Sequence, residues 1–282
     1  MTRTAFVAGA GGAVGEAAAL ELARNGWRVV ASMRTRRENV VARLEAAGAR
    51  VVFHDLPGDG GWVRDAAGCE ALVFTTHLSI TLAALDAAPD VGRIVVFSSN
   101  NVAADADAPS YRELAQTEAA VRARFANAAI IRPTLIYGDA WLVTVTRLMR
   151  LARRLPVLPA PGSGRALVQP VFHGDLGALA AGLAESDAPS GVFAAGGPDV
   201  VTMRNLYRQA AKAAGARALV LPTPANVLAA LKLISPEQAA RAEVDRSAIV
   251  QDSLPSALIP RTPLTIGLAH HARTVFGAPG GG

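Results

Sequence analysis

Apolar residues in this chain gather into short unbroken runs separated by longer, alanine-rich amphipathic stretches. Thr4–Ala8, Arg28–Met33, Arg50–Phe53, Ala71–Thr75, Arg93–Phe97 and Ala129–Arg132 are strand-length runs, nearly continuous in apolar side chains and rich in β-branched residues. A run with no polar alternation fits a strand covered on both faces, as in a parallel sheet. Helix-length segments lie between the runs, and alternating β and α units predict an α/β fold with a doubly wound parallel sheet. Ligands of such sheets bind outside the carboxyl ends of the strands.

From Tyr137-Gly138 onward the pattern changes. A helix is predicted over Trp141–Leu155, followed by proline turns at Pro156, Pro159 and Pro161 and a short strand over Val168–Phe172. A helix from about Asp175 to Glu185, a strand over Val192–Ala195 and a helix after Thr202 come next. Later helical stretches are broken by Pro222, Pro224, Pro236, Pro255, Pro260 and Pro263. The expected division is residues 1–138 for the sheet domain and 139–282 for a smaller C-terminal substrate lobe, with segments near 166–196 returning to the first domain.

The first strand runs into Gly9-Ala10-Gly11-Gly12-Ala13-Val14-Gly15, which opens directly into a helix beginning near Glu16. Strand, glycine turn and helix start, in that order, are what a dinucleotide pyrophosphate needs. Gly9 takes the dihedrals of a tight turn, Gly12 lets backbone approach the pyrophosphate, and Gly15 lets the helix pack on the strand. The helix start then offers free N–H groups and a positive dipole end to the anion. The second strand ends at Arg34, with Arg36 and Arg37 close behind and no acid before Glu38. A ribose 2′-hydroxyl is usually met here by Asp or Glu and a 2′-phosphate by Arg, so NADP(H) is preferred and NAD(H) is the alternative. A solvated charge run also accounts for three neighbouring arginines.

The composition narrows the class. At 282 residues with 51% hydrophobic residues, the chain can bury a sizeable core, and no stretch reaches the roughly twenty apolar residues that span a bilayer. No signal peptide is read, and the single cysteine, Cys69, excludes an internal disulfide, so the expected location is cytoplasmic. Cys69 reads as an incidental thiol in a polar turn. The net charge of +5 comes from dispersed arginines without aromatic interleaving, so no nucleic-acid partner is expected. Arg147, Arg150 and Arg154 recur at helical spacing, which suits either a solvated face or an anionic partner. The five histidines show no ligand spacing, and no metal is expected.

Six short marks in order give the chain a family likeness: Gly9-x-x-Gly12-x-x-Gly15, His54-Asp55-Leu56, Val95-Val96-Phe97-Ser98-Ser99, Tyr111 with Glu118, Ile131-Arg132-Pro133-Thr134-Leu135-Ile136-Tyr137-Gly138, and Gln169 to Leu176. Through them the chain resembles the extended and atypical branches of the short-chain dehydrogenase/reductase superfamily, NAD(P)-binding and epimerase-like. The resemblance implies a Rossmann-type sheet. It implies that Gly9, Gly11, Gly12, Ala13, Val14 and Gly15 hold the cofactor, that Arg34 meets its 2′-phosphate, and that Asp55 and Leu56 meet its adenine. It further implies that Thr75, Thr76 and His77 line the ribose and that Pro133 and Thr134 lie at the nicotinamide. Asp55 alone also fits a turn starter before Pro57.

Catalysis in the superfamily rests on a tyrosine, an orienting serine and a lysine four residues beyond the tyrosine. The resemblance assigns Tyr111 and Ser99 to the first two roles, but Ala115 stands where the lysine should be, and no lysine precedes Lys212. A phenol is ordinarily protonated at neutral pH, so without the cation it makes a poor base. Tyr111 also fits a helix start, with Ser110 as N-cap and Glu113 completing a capping box. Two functions follow. One is an NADP(H)-dependent oxidoreductase acting on a small carbonyl, quinone-like or modified-sugar substrate; the other is an NmrA-like NADP-binding regulator or scaffold without turnover.

Overall fold

The computed structural model of the protein describes residues 2–58, 60–104, 108–230, 249–250 and 254–277. Pro236 lies outside them. The chain divides into two compact units, the first formed by Met1–Pro133, His173–Ala195 and Asp252–Ile259, the second by Thr134–Phe172, Gly196–Gln251 and Pro260–Gly282.

The first unit begins with β1 (Thr4–Ala8), α1 (Ala13–Arg24), β2 (Arg28–Met33), α2 (Glu38–Ala46) and β3 (Arg50–Phe53). It continues through α3 (Gly61–Ala66), β4 (Ala71–Phe74), α4 (Leu78–Leu85), β5 (Arg93–Phe97), α5 (Asn101–Ala104), α6 (Pro109–Arg124) and β6 (Ala128–Pro133). The second unit carries β7 (Ile136–Tyr137), α7 (Val143–Ala152), β8 (Val157–Pro161), β9 (Leu167–Val168) and β10 (Val171–Phe172). The chain then returns to the first unit with α8 (His173–Leu183) and β11 (Gly191–Ala195) before β12 (Val201–Thr202), α9 (Met203–Ala213), β13 (Leu219–Thr223), α10 (Ala225–Ala230) and a helix over Leu264–Phe276 in the second.

Seven strands form one parallel sheet in the order β11-β6-β5-β4-β1-β2-β3. The order reverses between β1 and β4, which is the switch point where open α/β sheets take their ligands. Ala8 pairs with Ser32 on one side and Phe74 on the other, so β1, β2 and β4 end level. β1, β4 and β5 are buried almost throughout, as their unbroken apolar sequence requires. On one face Trp62 of α3 sits edge-on to Phe74, ring centroids 5.9 Å apart, and leans on Phe6 at 5.7 Å. Cys69 belongs to this cluster and is 6% exposed, so it is a core residue and not part of a polar surface turn. On the other face α8 lies against α1: a Cβ on Gly177 would come 2.6 Å from the Cβ of Ala17, an approach that glycine and alanine permit.

The sheet domain closes at Pro133, before the expected 138, because β7 pairs with β10 and not with the large sheet. For the same reason residues 166–172 stay in the second unit, and the expected single strand over Val168–Phe172 is two short ones separated by Pro170. The helix α6 starts with Pro109 at its first turn after Ala108 as N-cap, so Ser110 is not the cap. Proline's fixed φ suits the first helical position and extends the helix upstream of the serine.

The second unit packs Tyr137, Val145, Met149, Leu158, Leu206 and Leu268 into its own core. His271, wholly buried, accepts the Gly138 N–H at Nδ1 (2.9 Å), which leaves Nε2–H to donate to the Thr146 hydroxyl (2.8 Å).

Candidate functional site

The glycine turn emerges at the level carboxyl ends of β1, β2 and β4. Gly9 has φ +82°, and a Cβ there would stand 2.6 Å from Thr75 Oγ1. A Cβ on Gly15 would drive into the Gly9 carbonyl, whereas one on Gly12 would meet only that same oxygen, at an ordinary 3.5 Å. Gly9 and Gly15 are therefore required by the fold, and Gly12 leaves open space over the turn. Thr75 donates to the Ala8 carbonyl at 3.0 Å, bracing the turn from the end of β4. Ala10 N–H reaches the Ser32 carbonyl at 2.9 Å and ties the turn to β2. α1 starts after Gly12 with no side chain capping it, so the first-turn N–H groups of Ala13, Val14 and Gly15 stand without intrahelical acceptors at the positive end of the helix dipole.

Arg34, Arg36 and Arg37 have three different fates. Arg36 grips Glu38 through two hydrogen bonds (2.7 and 3.3 Å) and lies over the Phe53 ring; the bond holds its pKa above, and that of Glu38 below, the ordinary values. Arg37 donates to the Gly11 carbonyl, folding back over the turn. Arg34 stands 74% exposed at the end of β2, only 3.9 Å from the equally exposed Asp55. Leu56 packs against the apolar cluster of the first unit. Thr76 bonds Thr81 (2.9 Å), and His77 caps α4, its Nδ1 at 2.7 Å from Ser79 Oγ. His54 and Arg50 both reach the Asp65 carboxylate; burial works to raise its pKa, and these two partners outweigh it and hold it low.

At the carboxyl end of β5, Ser99 Oγ accepts the Asn101 N–H at 3.2 Å, and Asn101 Nδ2 donates to the Tyr111 phenol oxygen at 2.8 Å. The structure thus joins Ser99 and Tyr111 through Asn101, a residue sequence reasoning passed over; the polar run Ser98-Ser99-Asn100-Asn101 after an apolar strand was its only signal. One and two turns beyond Tyr111 on α6 come Ala115 and Glu118. Glu118, 3% exposed, takes bonds from Arg132 of β6 (2.9 and 3.1 Å to Nε) and from the Ser98 hydroxyl. This ion pair fixes α6, and Tyr111 with it, to the ends of β5 and β6. The Pro133 carbonyl accepts the Asn100 N–H at 2.9 Å, while the Thr134 hydroxyl donates to the Gln169 carbonyl.

Arg147, Arg150 and Arg154 line a shallow groove of about 330 Å³ along α7 with Val143 and Leu151, and the groove holds no residue of the glycine turn. Among the described residues no helix is long and apolar enough to cross a membrane.

No family model matches the chain, and no curated protein does. Solved structures do. An NADPH-dependent quinone oxidoreductase from Escherichia coli in complex with NADPH superposes with a TM-score of 0.70 at 20% identity, covering 95% of this chain and 99% of that one. A triphenylmethane reductase from Citrobacter sp. complexed with NADP(H) gives 0.71 at 19% identity over 94% and 98%. The UDP-N-acetylglucosamine 4-epimerase from Bacillus cereus gives 0.70 at 14% identity over 97% and 99%. At such identities the likeness is one of fold. With its seven parallel strands, switch-point glycine turn and superpositions over most of its length, the chain has the Rossmann-like α/β fold of these solved structures.

Proposed function

We propose that the protein is an NADP(H)-dependent oxidoreductase that reduces a small carbonyl, quinone-like or modified-sugar substrate. The observation that carries this reading is the braced glycine turn with its uncapped helix N-terminus, together with the exposed guanidinium of Arg34 just past the end of the neighbouring strand β2. Backbone N–H groups of the first turn of α1 would hold the pyrophosphate, and Arg34 would pair with the 2′-phosphate, leaving its long contact to Asp55. Asp55 and Leu56 would meet the adenine, Thr75, Thr76 and His77 the ribose, and Pro133 and Thr134 the nicotinamide end. When bound, the nicotinamide supplies a hydride. Tyr111 supplies the proton to the substrate oxygen, and Ser99 orients that oxygen. Two of the similar folds belong to reductases named with NADPH or NADP(H), which supports the reductive direction.

Ala115 favours a second reading, an NADP-binding regulator without turnover. A screen of NADPH and NADH oxidation over carbonyl and quinone acceptors, with calorimetric titration of both cofactors, separates the two. Turnover with some acceptor is expected; tight NADPH binding with no turnover across the screen selects the regulator, and absence of binding overturns both.

A further inference from the structure

We propose that Asn101 is a positioning residue that takes over, through its side-chain amide, part of the role the superfamily gives to the lysine missing at Ala115. The inference rests on the reading of Tyr111 as proton donor. Asn101 opens α5, where its own N–H is anchored on Ser99 Oγ (3.2 Å), and its Nδ2–H donates to the phenol oxygen of Tyr111 (2.8 Å). With one lone pair of that oxygen occupied, the phenol hydrogen is directed away from Asn101 and toward an incoming acceptor. During reduction the phenol O–H bond breaks, its proton passes to the substrate oxygen, and the electron pair of that bond stays on the phenolate; the hydride comes from the reduced nicotinamide dinucleotide, and solvent returns the proton. A donor already aimed at the phenol oxygen supports the charge that develops there, as preorganised donors do elsewhere. Tyr111 also sits in the first turn of α6, whose dipole favours the same charge.

Asp105 and Asp107 lie between Asn101 and Tyr111 in the sequence, outside the described residues. Of the elements packed on α6, α4 and α5 carry no charged side chain, and the one cation on β6, Arg132, is committed to Glu118. On α6 itself Arg112 and Glu113 adjoin Tyr111 in sequence.

The test reads the phenol directly and needs no substrate. The chain has three tyrosines, and the tyrosinate absorbance step of Tyr111 is assigned as the one that disappears in Tyr111→Phe. In Asn101→Leu that step is expected about half a pH unit to one unit higher, the loss of one ordinary hydrogen bond to the charged form. Asn101→Asp, nearly the same shape but anionic, moves it further up and serves if the leucine variant does not fold. An unmoved step in a folded variant overturns the proposal. In turnover assays Asn101→Leu is expected to lower kcat about threefold without changing the KM for NADPH. A chain with no turnover but a shifted step would refute the enzymatic reading and leave the coupling between Asn101 and Tyr111 intact.

Discussion

Gly12 and Gly15 differ in what a side chain would meet, and so they separate binding from folding. Gly12→Val fills open space above the turn, so NADPH binding by calorimetry should vanish while the circular dichroism spectrum stays native. Gly15→Val forces a Cβ into the Gly9 carbonyl and should destabilise the fold by about 1–3 kcal/mol or more. Arg34 and Arg37 separate in the same way. Arg34→Ala should weaken NADPH about tenfold and spare NADH, because only the 2′-phosphate offers it a charge-assisted bond. Arg37→Ala removes the clasp on Gly11 and should weaken both cofactors alike. If Arg34→Ala left NADPH affinity unchanged, the 2′-phosphate would have to lie elsewhere. Cys69 is buried in the core and its thiol is pushed up to about 11, so a thiol-specific dye should react with it only after unfolding.

Elements are tied together by a few buried polar groups, and these should dominate stability. Glu118→Ala leaves the Arg132 guanidinium without its carboxylate between α6 and β6; urea denaturation should show a loss of about 3 kcal/mol, within the usual range for breaking a buried pair. Asp65 makes a pH-dependent tie between α3 and the end of β3. Its folded pKa lies below the usual 3.8, so its partners His54 and Arg50 contribute stability above that value, and the contribution is lost as pH falls through the folded pKa. Acid titration of Asp65→Asn should therefore show a shallower loss of stability below about pH 4 than the parent chain. Equal slopes would mean the bonds to Asp65 are not formed in solution.

For the whole molecule, a cofactor that binds only the folded chain raises its melting temperature by mass action. NADPH at a hundred times its Kd should add about 2.7 kcal/mol, which for a chain of this size is a rise of about 5 °C or more. NADH at the same concentration should give a smaller rise if Arg34 reads the 2′-phosphate. A melting curve unmoved by either dinucleotide would remove the binding site on which both functional readings depend.

Much of this was written locally in the chain. Unbroken apolar runs determined the strands, since a strand buried on both faces has no polar face to alternate, and Gly9-x-x-Gly12-x-x-Gly15 determined the turn, since its conformation depends on missing Cβ atoms. The absence of lysine at Ala115 was equally plain. Tertiary structure decided what depends on distant partners: that Thr75 braces the turn, that Arg36 and Arg37 are engaged while Arg34 stays exposed, that Cys69 is core, and that the sheet domain ends at Pro133. It also placed Asn101 against Tyr111 and Glu118 against Arg132. No periodicity encodes such pairs, because a hydrogen bond between residues on different elements exists only once packing has brought both ends to the same place.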